Sequence, residues 1–241
     1  MKNKLNIIIS VICFSLTIGL CTFLILHKDN KELTDALKFK KQFEAVNSLV
    51  NPFTNEKYIE LHIDDDNPFV YKTGKEIVDI LNNESAIIFM GYPESDLTRV
   101  FLPIFLDVLK ENNLNKVYYL DILEIRDKYK YSGSIVPELV HEGTKAYYEI
   151  VEFLNDYLDR YYVNDPEGNR YDTAVKRINT PTIVTIKSKE VINYHFGIGN
   201  NHDEEHAALS EEEQASLKET LTEIIKNYKE ATEICSSNIA C

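Results

Sequence analysis

Ser85-Ala86-Ile87-Ile88-Phe89-Met90-Gly91-Tyr92-Pro93-Glu94-Ser95-Asp96-Leu97-Thr98-Arg99 is the stretch on which the fold turns. From Ala86 to Met90 every residue is apolar, the run is too short for a helix, and Gly91 closes it. That pattern fits a strand buried on both faces. After the Tyr92-Pro93 break, Ser95 offers an N-cap oxygen and Asp96 falls in the first turn, where a carboxylate meets the positive end of a helix dipole. Leu97, Phe101, Ile104, Phe105, Val108 and Leu109 then recur at helical spacing, which predicts a helix from about Asp96 to Asn112 with Pro103 inside it. Lys116 to Ile122 is a second buried-strand candidate. Strand, helix and strand in this tight order make a βαβ unit, whose two strands lie parallel with a right-handed crossover.

Upstream, Tyr58 to Ile63 alternates like a strand until Asp64-Asp65-Asp66-Asn67-Pro68 breaks it. The three aspartates lack the spaced oxygen ligands and turn glycine of a calcium loop and read as a solvated turn. Thr73 with Glu76 three residues on is a capping box, opening a helix with Ile77, Ile80 and Leu81 on one face. Downstream, residues 137–163 carry the longest helical pattern. Tyr147, Val151, Leu154, Leu158 and Tyr161 step by four and three, and the tyrosines fit core-edge packing better than a ligand box. Asn164 to Asn169 is a turn. Thr182 to Ile186 and Val191 to His195 form a hairpin around Lys187-Ser188-Lys189-Glu190, and a last helix opens at Ser210, capped against Glu213. The order is βαβ, a helical insertion, then ββα, an α/β fold.

The chain has 241 residues, 44% of them hydrophobic, which is one ordinary domain plus extras with ample material for a core. Its 39 acidic against 26 basic side chains leave a net charge of −13, an unfavourable potential for a polyanion, so no nucleic-acid partner is expected. Four cysteines are too few for a disulfide scaffold. Lys2 and Lys4 precede Leu5 to Leu26, 22 residues without a charge, long enough to cross a bilayer and followed by no small-residue cleavage site. Ile12 and Leu20 precede Cys13 and Cys21 where lipoprotein processing wants a small side chain. Residues 1–27 therefore read as a signal-anchor transmembrane helix, giving a single-pass cell-membrane protein with its C-terminal domain extracytoplasmic. Lys28, Lys31, Lys38, Lys40 and Lys41 follow the span and oppose that orientation. The short positive start and the long C-terminal domain favour it. Residues 28–57, with Leu37, Phe39, Phe43 and Val46, read as a stalk helix and linker. Residues 58–232 form the folded domain, and residues 233–241 a tail with two cysteines.

The words Gly91-Tyr92-Pro93, Arg99, Leu102-Pro103, Tyr118-Tyr119-Leu120-Asp121-Ile122, Arg126-Asp127 and Arg177-Ile178-Asn179-Thr180-Pro181-Thr182 resemble the thioredoxin-like fold. Together they are similar to the extracytoplasmic thioredoxin-like proteins of Gram-positive bacteria, including those described as bacteriocin transport accessory proteins. The resemblance spans roughly residues 58 to 230. In that family G-Y-P is followed by one residue and then C-P-W-C-R, the redox dithiol, with a proline five residues beyond the second cysteine. Here Glu94 fills the spacer, Ser95 and Thr98 stand at the cysteine positions, and Asp96-Leu97 replaces the pair between them. Arg99 and Pro103 keep register. The resemblance further implies that Pro181 is a cis proline packed against the helix start.

Dithiol chemistry works there because the helix N-terminus stabilises a thiolate. Ser and Thr stay protonated near neutrality and cannot enter disulfide exchange. No cysteine lies between Cys21 and Cys235, so composition excludes exchange at Ser95, Asp96, Leu97 and Thr98, a degenerate site better suited to capping. A hydrolytic role for Ser95 lacks a G-x-S-x-G context, and nothing in the sequence brings His62, His141, His195, His202 or His206 to it. His202 and His206 have metal-ligand spacing but lack the glutamate directly after the first histidine and precede the Ser210 cap, so they read as a solvated acidic loop; no metal or cofactor is expected. Cys235 and Cys241 allow a structural disulfide, an unpaired tail or a mobile redox pair. The resemblance implies a groove at Tyr92, Pro93, Thr180 and Pro181 that grips an extended peptide or protein partner, as an accessory to export or envelope assembly. The alternatives are a thiol–disulfide oxidoreductase acting through Cys235 and Cys241, and a structural subunit recruited to a membrane complex by the span.

Overall fold

Side chains along the apolar run at 86–90 alternate between two cores, and this makes it a central strand. A computed structural model describes residues 33–199 and 207–237. Along it run α1 (Asp35–Glu44), β1 (Phe69–Tyr71), α2 (Gly74–Asn83), β2 (Ala86–Gly91), α3 (Asp96–Glu111), β3 (Val117–Asp121), β4 (Lys128–Lys130) and β5 (Glu138–His141). They are followed by α4 (Lys145–Phe153), β6 (Arg160–Asn164), β7 (Arg170–Lys176), β8 (Thr182–Lys187), β9 (Glu190–Phe196) and α5 (Glu211–Ser237). β2 sends Ile87 and Phe89 into a core shared with α1, α3 and α5, and Ala86, Ile88 and Met90 into a second core shared with α2 and α4. Neither face meets water, so no position in the run needs a polar side chain.

The sheet is mixed, with strand order β1-β3-β2-β8-β9. β1 and β2 flank β3 in parallel, with Ile88 opposite Tyr118 and Phe69 opposite Val117. β8 runs antiparallel to β2, placing Ile183 opposite Phe89, and β9 runs antiparallel to β8. The crossover from β2 to β3 is α3, as the βαβ pattern requires. The Thr73–Glu76 capping box forms, and hydrogen bonds from Thr73 hold the Glu76 carboxyl down at about 2. Ser210 and Glu213 likewise exchange hydrogen bonds ahead of α5.

Three expectations need correction. Residues 28–57 are not a stalk and linker throughout: from Asp35 the chain belongs to the folded unit. α1 buries Phe39 and Phe43 completely, Phe39 stacking at 4.0 Å on Phe69 and meeting the Tyr119 ring edge-on at 4.8 Å. Gln42, on the same helix, donates to Asp121 at 2.6 Å and accepts from Tyr71, fastening α1 to β3 and β1. Tyr58 to Ile63 forms no sheet strand. It buries Tyr58, Leu61 and Ile63, and the Asn47 side chain takes the place of a neighbouring strand by bonding both the N–H and the C=O of Leu61.

Residues 137–163 are helical only over Lys145–Phe153, followed by a 3-10 turn at Asn155–Tyr157. The flanks are strands instead, β5 pairing with β4 and β6 with β7. What overrides the helical period is the Asp165 turn. Its carboxylate accepts from the Glu167 and Asn169 amides and the Tyr171 hydroxyl, and this folds β6 onto β7. No helix among the described residues is long and apolar enough to cross a membrane. The span expected at residues 1–27 lies outside them.

The burial of α1 gives a direct test. Phe39→Ala is expected to cost about 3–5 kcal/mol of folding stability in urea unfolding, the usual penalty for emptying a packed aromatic site. A cost below about 1 kcal/mol, the range of a surface substitution, would mark α1 as a detachable stalk.

Candidate functional site

The start of α3 is built by short-range capping. Ser95, only 8% exposed, has extended backbone angles, and its Oγ accepts from the Thr98 amide at 3.2 Å. Asp96 in the first turn accepts from Asn51 Nδ2 at 2.7 Å, so the 51–55 turn is tied to the helix start. Leu97 is half-buried against the larger core. Thr98 is fully buried with its hydroxyl unpartnered, and its methyl lies 3.1 Å from where a Cβ on Gly91 would stand. Glycine at 91 is what lets the strand end approach the helix this closely.

Facing this start is the Thr180–Pro181 peptide bond, which is cis. Ser95 Oγ and Thr180 Oγ1 are 3.5 Å apart, so the chain brings the helix start and this loop together. The Pro181 carbonyl accepts from Gly197 and the Asn179 carbonyl from Thr182 Oγ1, which fixes the loop on both sides. The backbone of Thr180 makes no hydrogen bond among the described residues. Tyr92 lies under the Arg126 guanidinium, 4.7 Å from its ring centroid, and its hydroxyl accepts from Arg126 Nη2 at 3.1 Å.

Behind this arrangement sits Arg99, with no exposed surface. It donates from Nε to the Ile59 carbonyl at 2.7 Å, from Nη1 to the Phe43 and Pro93 carbonyls at 3.0 and 3.1 Å, and from Nη2 to Asn47 Oδ1 at 2.5 Å. Burial lowers its pKa from the usual value. One side chain thus joins the N-terminal segment, the turn before the site and the first turn of α3.

The site opens into a groove of about 1510 Å³. Tyr92, Ser95, Asp96, Leu97 and Thr180 line it, whereas Pro93 and Pro181 are buried and do not. Sequence reasoning missed Phe53, 95% exposed at its rim, and Arg126, Arg177, Tyr194 and Phe196. Arg126 and Arg177 lie within the words that carry the family resemblance. Phe53 had no signal beyond its turn.

His195 also lines the groove, stacked on Phe101 at 6.3 Å, and burial lowers its pKa from 6.5. Among the described residues, no hydrogen bond joins Ser95 to a histidine or a carboxylate. Nor do those residues contain a metal-ligating cluster. His202 and His206 lie outside them, as does Cys241; Cys235 falls in the last turns of α5. The chain matches no protein-family model, no curated protein and no solved structure.

Two outcomes follow from this geometry. Arg99→Met leaves the Ile59 and Pro93 carbonyls without a donor, the Phe43 carbonyl keeping the Val46 amide, and is expected to lower stability by at least about 2 kcal/mol in urea unfolding. His195 binds a proton less readily folded than unfolded, so stability is full above pH 6.5 and is lost as pH falls through the lower folded value. Melting temperatures taken between about pH 7 and pH 5 should fall in the native chain and fall less steeply in His195→Gln.

Proposed function

We propose that this is a thioredoxin-like protein with a degenerate redox site, which works by gripping an extended peptide or partner protein. The observation that carries this reading is the pairing of the α3 start with a cis proline loop, a hydroxyl standing at each position where the resembling family has sulfur. The strand order supports it, three parallel strands with the last two added antiparallel, as does the insertion between β3 and β8. The open backbone of Thr180 offers a donor and an acceptor to an extended segment, as a sheet edge does. The groove exceeds the roughly 300–1,000 Å³ of small-molecule pockets, which favours a polypeptide occupant. Phe53, Phe196 and Tyr157 at its margin, all exposed, supply apolar anchors.

With residues 1–27 as anchor, the domain would stand outside the cytoplasm as a single-pass membrane protein and serve export or envelope assembly. Oxidoreductase activity through Cys235 and Cys241 is the rival, and an insulin-reduction assay separates the two. The native protein is expected to be inert. Ser95→Cys/Thr98→Cys should gain dithiothreitol-dependent insulin reduction, since the helix start and the facing proline loop are in place. Native activity abolished by Cys235→Ser would overturn the binding reading. A photocrosslinker at position 97 in intact cells should capture a polypeptide, whereas capture only from within the first 27 residues would favour recruitment by the span.

A further inference from the structure

Two arginines enter the groove from the insertion, Arg126 just after β3 and Arg177 just before β8. Both flank Asp127, which is 1% exposed; Arg177 Nη2 donates to the Asp127 carbonyl at 3.2 Å. Each guanidinium lies over a ring, Arg126 over Tyr92 and Arg177 over Tyr161 at 4.0 Å. Stacking fixes the planes and leaves N–H edges to bond. Four buried polar side-chain atoms lack a hydrogen-bond partner among the described residues. Three of them are here: Arg126 Nε, Arg177 Nε and Asp127 Oδ1. An unpaired buried donor is costly, so two in one cluster point to a group that the fold itself does not supply.

Carboxylates stand near both guanidiniums, Asp127 facing the two of them, Asp121 facing Arg126 and Asp159 lining the same groove, but none forms an ion pair with either arginine among the described residues. Lys128 adds nothing free, being paired with Glu124 at 3.6 Å. Burial raises the Asp127 pKa, against the pull of Arg177 and Arg126, which weakens it further as a counterion.

We propose that Arg126 and Arg177 form a carboxylate subsite in the groove, taking an Asp or Glu side chain of the extended segment docked there. The inference rests on the groove reading above. A planar guanidinium meets a carboxylate through two parallel hydrogen bonds, a match that a point-like ammonium does not offer. An acidic residue within a longer segment fits better than a free anion, because aromatic rings at Phe53, Tyr157, Tyr194 and Phe196 line the same groove. Glu94 and Asp96 stand at the α3 start, so the docked acid is repelled from that end and drawn to the arginines. The subsite thereby sets the direction and register of the segment.

The test uses the full chain in detergent, panned against random peptides displayed between linkers. Selected peptides should carry Asp or Glu at one fixed position. In fluorescence anisotropy, replacing that residue by Asn or Gln in a synthetic peptide should weaken binding about tenfold or more at low salt, and less at high salt. Because that change is made in the peptide, the protein stays native. Arg126→Gln/Arg177→Gln, checked for folding by circular dichroism, should bind the acidic and amide peptides alike. Peptides selected without an acidic position, or an acid preference that survives in the double variant, would overturn the subsite and leave the groove standing. Binding of free acetate or inorganic phosphate with no peptide preference would also overturn it. No selected peptide at all would remove both readings.

Discussion

A guanidinium with no exposed surface imposes its own order on everything near it. Moving a charge out of water costs several kcal/mol unless each donor is met, and Arg99 meets its donors with carbonyls and one amide oxygen rather than a carboxylate. Those acceptors belong to α1, the 47–59 segment and the turn at Pro93, stretches with no other reason to converge. The burial of Phe39 and Phe43, the course of the chain past Tyr58 and the position of Ser95 therefore depend on one another. Lysine would not serve, since a single ammonium cannot reach acceptors on several sides at once.

The site in front of Arg99 separates shape from reactivity. A helix start supplies oriented N–H groups and a positive dipole end whatever residue caps it. With sulfur in those positions the field stabilises a thiolate. With Ser95 and Thr98 it is spent on a cap and on a buried hydroxyl packed against Gly91. The contact between Ser95 and Thr180 keeps the two walls together, and the arginines of the insertion add a charge that the sheet alone lacks.

The sheet centre was readable because β2 and β3 are short apolar runs bounded by breakers, and because the capping residues at Thr73, Ser95 and Ser210 act within three residues of themselves. β1 was not, since Phe69-Val70-Tyr71 is too short to show any period. α1 carries the same pattern a stalk would, with Lys38, Lys40 and Lys41 between its apolar positions. Only Phe69 and Tyr119, distant in sequence, decide that it is buried, while Lys38 reaches over the Tyr71 ring at 4.1 Å. The period across 137–163 misled because strand pairing at Asp165 overrode it. Ser95 could be named from its capping position and Thr180 from the family resemblance, but the meeting of Arg126 with Arg177 depends on two loops that only the folded chain brings together.

The close approach of Thr98 to Gly91 bears on how this site could change over generations. A single Ser95→Cys or Thr98→Cys replacement yields one sulfur with no second thiol beside it among the described residues, a liability without a gain. Only the simultaneous pair would supply a dithiol, and any larger residue at 91 would close that route by displacing the side chain at 98. Exchange chemistry thereby stays two replacements away from this site, while the residues that line the groove can vary without touching the contact between 91 and 98.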